Sequence, residues 1–207
     1  MLTLALIRHG ETDWNREGRV MGRGAVSLNE TGRAQIARLA ERLKAAPVRA
    51  VYFSPLTRTA QSAAILAASL GLSPTPDEGW IETKVTGWEG KLWSELAGHP
   101  LRQRYYTAPT ETRLPEGEMF AEVRQRTVAA AEALLARHHG ECVAVVTHAD
   151  PIRAVISHYL GQELPAARYL KIDHATLSLL ELKDGAGALR LLNAPPELVR
   201  LPPASGV

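Results

Sequence analysis

Cysteine is almost missing from this chain: Cys142 is the only one among 207 residues. A single thiol can form no intramolecular disulfide and no thiolate metal cluster, and beside an apolar run it reads as a small packed residue. Lysine is scarce too, confined to positions 44, 84, 91, 171 and 183, so the basic residues are mostly arginine. That bias suits anion recognition, although base composition is its simpler source. No apolar run approaches the roughly 20 residues a membrane span needs. The apolar start, Met1 to Ile7, lacks a basic leader and a small-residue cleavage site. It reads as a strand, and the expected location is the cytoplasm, with no membrane partner. A strong charge of one sign is absent as well: the net charge is +2, from 24 basic and 22 acidic residues, which argues against a nucleic-acid partner.

The length fits one domain, residues 1–207. Strand-like and helix-like segments alternate, as in a parallel sheet covered by helices. The expected fold class is α/β, a three-layer sandwich whose mostly parallel central sheet is flanked by helices. Strands are expected at 2–8, 50–54, 142–148, 168–172, 176–182 and 188–193. Helices are expected at 31–45, capped by Asn29 or Thr31, at 56–70 with an Ala60, Ala63, Ala64 and Ala67 face, and at 118–138. A further helix starts at Asp150-Pro151, with the aspartate as N-cap. Residues 73–117, rich in proline and tryptophan, read as an irregular lid-like excursion with short helices. Residues 194–207 read as a loosely ordered tail.

Three apolar runs end in chemistry-bearing residues. Leu6-Ile7 runs into Arg8-His9-Gly10-Glu11-Thr12. Val143 to Thr147 ends in His148-Ala149. Ala50 to Ser54 runs into Pro55-Leu56-Thr57-Arg58. Ligands of parallel α/β sheets bind outside the carboxyl ends of the strands, so two histidines and two arginines are expected to converge on one rim. A compact neutral nucleophile beside fixed guanidinium groups is what attack on a phosphoryl group requires.

The run Arg8-His9-Gly10-Glu11-Thr12-x-x-Asn15 resembles the signature of the histidine phosphatase superfamily, the phosphoglycerate-mutase-like proteins. Ser54-Pro55-Leu56 with Arg58 and Ser62 is similar to its second arginine segment. Glu82 with Trp88-Glu89-Gly90 is similar to its acidic segment, Pro115-Glu116-Gly117-Glu118 to its substrate-side loop, and Thr147-His148-Ala149 to its second histidine motif. The five segments keep the family order along most of the chain. The resemblance implies that His9 forms a phosphohistidine, with its tautomer fixed by a backbone carbonyl near Gly10. It implies that Arg8, Arg58 and His148, the last protonated in the phosphate-bound state, bind phosphoryl oxygens, and that Glu82 is the general acid. Asn15 and the Ala149 N–H are further donors, and Thr12, Gly22, Arg23 and Glu118 belong to the substrate side. Glu89 is the rival acid, better suited to ordering its loop. Three positions depart from the pattern: Thr86 and Ala149 stand where glycine is common, and Met119 where serine is.

The expected function is a metal-independent phosphomonoesterase, without cofactor, acting on a small phosphorylated metabolite. A phosphoglycerate mutase is one alternative, disfavoured because the segment between Gly90 and the helix near 118 is short for a closed lid. A catalytically silent phosphate-binding module is another, disfavoured because a binder needs no general acid. A histidine metal hydrolase lacks ligand spacing. Arg19 and Arg23 are candidates to meet a second anionic group. His99, His138, His139, His158 and His174 carry no motif and read as surface or packing residues. A homodimer through a late edge strand is compatible with the pattern.

Overall fold

The computed structural model describes residues 1–183 and 185–199. One six-stranded sheet runs through it in the order β3-β2-β4-β1-β5-β6. The strands are β1 (Leu2–Arg8), β2 (Val48–Phe53), β3 (Pro74–Pro76), β4 (Cys142–Thr147), β5 (Leu177–Lys183) and β6 (Ala186–Ala194). β3, β2, β4 and β1 are mutually parallel, and β5 runs antiparallel to both β1 and β6. The α/β sandwich expected from the alternation is therefore present, its mixed sheet mostly parallel.

Both faces of the central strands are apolar because helices cover both. α2 (Glu30–Leu43) and α3 (Thr57–Leu70) pack Ile36, Leu39, Leu43, Ala63 and Leu66 onto Ala5, Ile7, Val51, Ala144 and Val146. α5 (Phe120–Arg137) and α6 (Ala149–Tyr159) pack Ala131, Leu134, Ile152 and Val155 onto Leu4, Leu6, Val143 and Val145. Each fully buried leucine or isoleucine contributes about 1.5–3 kcal/mol. A third cluster, with Val85, Trp88, Tyr105, Leu114 and Phe120, anchors the excursion and its helix α4 (Pro100–Thr107) against α5. The four-residue α1 (Asp13–Arg16) follows β1.

Several boundaries differ from the sequence reading. Residues 168–172 form no strand: a 3-10 turn spans Leu164–Tyr169, and the carbonyls of Leu170 and Ile172 accept from Arg153 and Arg8. The buried face of α3 is rotated, with Ala64 exposed and Arg58, Thr59 and Ser62 buried at its first turns. Asn29 caps α2 by accepting the Gly32 N–H at 2.8 Å. α6 begins earlier than expected, with His148 as N-cap, and so Asp150 lies inside the first turn. The excursion begins inside the sheet, since Pro74–Pro76 pairs with β2 and Trp80 is fully buried. Of the expected loose tail, Ala194 ends β6 and Val199 is buried in the core, while residues 200–207 lie outside the described residues.

Candidate active site

β1, β2 and β4 end at one edge of the sheet, and each delivers its next residue to the same place. The His9 N–H donates to the Thr147 carbonyl at 3.0 Å, and the Ser54 N–H to that of Val146 at 3.0 Å. Thus His9 and Ser54 are held by extensions of the sheet ladder, and His148 follows β4 as the N-cap of α6. The loop behind His9 lies backbone to backbone on the start of α2. A Cβ on Gly10 would stand 2.4 Å from the Gly32 carbonyl oxygen, and one on Gly32 2.1 Å from that of Glu11. Only glycine allows that approach.

His9 is buried, and its Nδ1 lies 2.7 Å from the Gly10 carbonyl oxygen. A carbonyl only accepts, so Nδ1 carries the proton and Nε2 keeps its lone pair. Burial, then the charges of Arg58 and Arg8, hold His9 well below the usual imidazole range, so the ring is neutral. His148 stands 5.3 Å away, centroid to centroid, with its Nε2 2.7 Å from Ser54 Oγ. Burial and Arg58 hold it low as well. The His148 ring is therefore neutral here, which is compatible with the protonation expected of it in the phosphate-bound state, since a ring so placed takes a proton only beside an anion.

Arg58 is fully buried on α3. Its two terminal nitrogens donate to the carbonyls of Gly24 at 3.1 Å and Gly22 at 2.8 Å. Arg8 is tied to the Ile172 carbonyl at 2.7 Å. Burial brings both guanidinium groups down to about 10, with Glu82 opposing, so both stay charged at neutral pH. Arg8 Nε, Arg58 Nε, His148 Nδ1 and His174 Nε2 are buried with no hydrogen-bond partner among the described residues. Buried polar atoms are normally satisfied, and open nitrogens on the side chains around His9 suit an anion.

Glu82 is fixed from several sides. Its Oε1 accepts the Thr83 N–H at 2.8 Å, and its carbonyl accepts Arg23 Nε at 3.0 Å. Thr147 Oγ1 holds the neighbouring Trp80 carbonyl at 2.6 Å. Burial, then the charge of Asp150, pushes the Glu82 carboxyl up to about 7. Asp150 is a hub: it accepts from Thr83 Oγ1 at 3.0 Å, from the Tyr106 hydroxyl at 2.7 Å and from Arg153 at 3.1 Å.

A cavity of about 800 Å³ opens over this floor, lined by Arg8, Asn15, Gly22, Glu82 and Ala149 among others. Asn15 Oδ1 accepts the Thr12 N–H at 3.1 Å, which leaves its amide nitrogen to donate. Ala149 opens α6 with helical backbone, so alanine serves there as well as glycine. Other expected substrate-side residues are committed elsewhere. Thr12 is fully buried and caps α1 by accepting the Asn15 N–H at 3.2 Å. Arg23 pairs with Glu118 at 3.0 Å, and Glu118 also takes the Lys84 N–H and Arg126. The two charges pair with each other and pin the excursion. Glu89 accepts the Arg23 N–H at 2.8 Å and so orders the turn at Gly22. Cys142 is half-buried and burial pushes its thiol up to about 11, as a packed thiol requires.

Sequence reasoning passed over two residues. His174, without a motif, stands 5.8 Å from His9, and burial brings it down to about 3. Asp150 was expected only as a cap. Among the described residues, no three His, Cys, Asp or Glu side chains group as metal ligands would, and no helix is long and apolar enough to cross a membrane.

Known proteins resemble the chain in sequence and in fold. Residues 4–195 match the family model of the histidine phosphatase superfamily (branch 1). The chain is similar to phosphoserine phosphatase 1 of Hydrogenobacter thermophilus, 30% identical over 195 residues, covering 93% of this chain and 92% of that one. It is similar to a probable phosphoglycerate mutase of Cronobacter sakazakii, 30% identical over 186 residues (89% and 86%). It spans only 53% of the length of a bifunctional protein of Mycobacterium tuberculosis, to which it is 33% identical over 193 residues, 92% of this chain. Among solved structures, Bacillus stearothermophilus YhfR superposes with a TM-score of 0.87 at 29% identity, covering 94% of this chain and 98% of that one.

Proposed function

The chain belongs to the histidine phosphatase superfamily, and we propose that it is a metal-independent phosphomonoesterase working through a phosphohistidine on His9. The observation that carries this reading is the hydrogen bond from His9 Nδ1 to the Gly10 carbonyl at 2.7 Å. It leaves a neutral, unprotonated Nε2 among side chains whose open nitrogens are all donors or basic. Nε2 attacks phosphorus and the ester P–O bond breaks. Arg8 and Arg58 hold the equatorial oxygens, where charge spreads in phosphoryl transfer. A proton from Glu82 goes to the leaving alkoxide, which a carboxyl raised to about 7 still holds near neutral pH. The Glu82 carboxylate then takes a proton from the water that attacks the phosphohistidine, and free phosphate leaves with His9 restored.

His148 accepts a proton as the dianion settles beside it and becomes the third cation, a role its neutral state leaves open. Asn15 and the Ala149 N–H, at the start of α6, donate to the same oxygens. The substrate is a small phosphorylated metabolite. The family also includes a relative named as a probable mutase; a mutase would return the phosphoryl group to an isomer rather than to water. Phosphate release from a panel of phosphomonoesters in EDTA, wild type against His9→Ala, tests the proposal. Chelator-resistant release that vanishes in the variant is the expected result. Release that survives in the variant, or isomerisation without net phosphate, would overturn it.

A further inference from the structure

The phosphoryl end accounts for only the floor of the cavity. Its volume of about 800 Å³ lies within the range of sites that enclose drug-sized ligands, about 300–1,000 Å³. The outer lining has an unusual composition. Five large apolar residues are exposed among those described, and only two of them are aromatic, Trp93 at 42% and Tyr169 at 73%. Both line this cavity. Single exposed apolar residues are ordinary, but co-location of both exposed aromatics at one mouth points to a ligand with a face to cover them.

Each aromatic carries an arginine. Arg102 lies 5.3 Å over the Trp93 ring and also donates to the Trp93 carbonyl at 3.1 Å. Arg168 lies 4.6 Å over Tyr169 and reaches its hydroxyl. One pair comes from the excursion and the other from the 3-10 turn after α6. Their charges are not spent on carboxylates. Arg19 pairs with Glu17 and Arg153 with Asp150, whereas Arg102 and Arg168 have no carboxylate within ion-pair distance among the described residues. Arg19 also lines the cavity, and Arg102 and Arg168 join it as groups that could meet a second anion. Guanidinium groups preorganised on aromatic faces are suited to carboxylate or phosphate oxygens, and the faces themselves to a flat ring.

We infer that the outer cavity is a leaving-group subsite for a ring-bearing alcohol that carries a second anionic group, its ring met by Trp93 and Tyr169 and its charge by Arg102 and Arg168. This rests on the phosphatase reading of the floor. Sugar and nucleoside rings share the required chemistry, and the test separates them.

The experiment measures kcat/KM for phosphate release from glycerol phosphate, a hexose monophosphate, a hexose bisphosphate, a nucleoside monophosphate and a nucleoside 3′,5′-bisphosphate. At least one ring ester with a second anion is expected to exceed glycerol phosphate by about 100-fold, about 2.7 kcal/mol. Whether it is the hexose or the nucleoside bisphosphate identifies the ring. Trp93→Ala with Tyr169→Ala is expected to reduce the ratio of ring to glycerol ester about tenfold. Arg102→Ala with Arg168→Ala is expected to reduce the ratio of bisphosphate to monophosphate about tenfold. A wild type that hydrolyses glycerol phosphate as well as any ring ester, or variants that leave both ratios unchanged, would overturn the subsite while the phosphatase reading stands. No release from any ester would overturn that reading and the subsite with it.

Discussion

Asp150→Asn is expected to move the alkaline limb of kcat/KM to lower pH. Thr83 joins the two carboxylates concerned: its N–H donates to Glu82 Oε1 at 2.8 Å, and its hydroxyl to Asp150 Oδ2 at 3.0 Å. Groups bridged by one residue lie on the order of 7 Å apart, and at an effective dielectric of about 20 their repulsion is about 2 kcal/mol, or about 1.5 pK units. The charged and titratable groups facing the pair are Arg8, Arg58 and Arg153, with Tyr105 and Tyr106 from α4. The three cations screen part of the repulsion, so about one unit is the shift to expect. The sign follows from the role: Glu82 must be protonated to serve the leaving alkoxide, and Asp150 helps to hold it up at about 7. Without that charge the carboxyl ionises earlier, and kcat/KM falls about one pH unit sooner. An alkyl phosphate assayed from pH 5 to 9 reads the limb, and the ester's own ionisation cancels between the two enzymes. Asparagine keeps the shape and can still accept from Thr83 or Tyr106, and a thermal melt confirms the fold. A folded variant whose limb stays at the wild-type pH would refute the coupling and leave Asp150 as scaffold only.

Glu82→Gln is expected to lower kcat about 10²–10⁴-fold on alkyl phosphates, and much less on 4-nitrophenyl phosphate, whose leaving group needs little protonation. The same variant tests linkage. A carboxyl raised in the fold keeps its proton between about 4.5 and 7 while the unfolded chain loses it, so its contribution to stability falls as pH rises through 7. Melting temperatures of wild type and Glu82→Gln are therefore expected to differ in the variant's favour at pH 8 relative to pH 5. Arg58→Lys cannot reach both Gly22 and Gly24 carbonyls while facing the phosphoryl group, and about 10²-fold in kcat is the expected loss, read in single turnovers. Gly32→Ala drives a Cβ to 2.1 Å from the Glu11 carbonyl oxygen; a loss of about 1–3 kcal/mol, or about 2–12 °C in melting temperature, is expected in a thermal scan.

The strands and main helices were legible because the core is built from period-matched apolar runs. Val143 to Val146 is apolar throughout since helices bury both faces of β4, and Phe120, Val123, Thr127, Ala130 and Leu134 fall on the buried side of α5 as their spacing requires. What failed were positions where a polar site displaces an apolar stripe. α3 turned so that Arg58, Thr59 and Ser62 face inward, since the first turn has to present Arg58 to the rim and Thr59 Oγ1 has to hold the Ser54 carbonyl at 2.6 Å. Residues 168–172 alternate like a strand, yet their carbonyls are used on arginine side chains of the site rather than in a ladder.

The site divides along the same line. Residues fixed by their place at a strand end, namely Arg8, His9 and His148, could be read from local sequence, because a parallel sheet brings such ends together whatever the loops do. Residues whose role depends on a partner far along the chain could not. Arg23 and Glu118 look like substrate groups until the fold pairs them across 95 positions, and Asp150 looks like a cap until Thr83 and Tyr106 reach it. His174 gave no local signal at all, following Asp173 in a loop, and only the antiparallel return of β5 beside β1 sets it near His9. The floor of the cavity is thus determined by topology and its walls by long-range charge pairing. One fold can therefore keep the phosphoryl chemistry constant while arginines and aromatics of the excursion and the 164–169 turn change the alcohol it accepts.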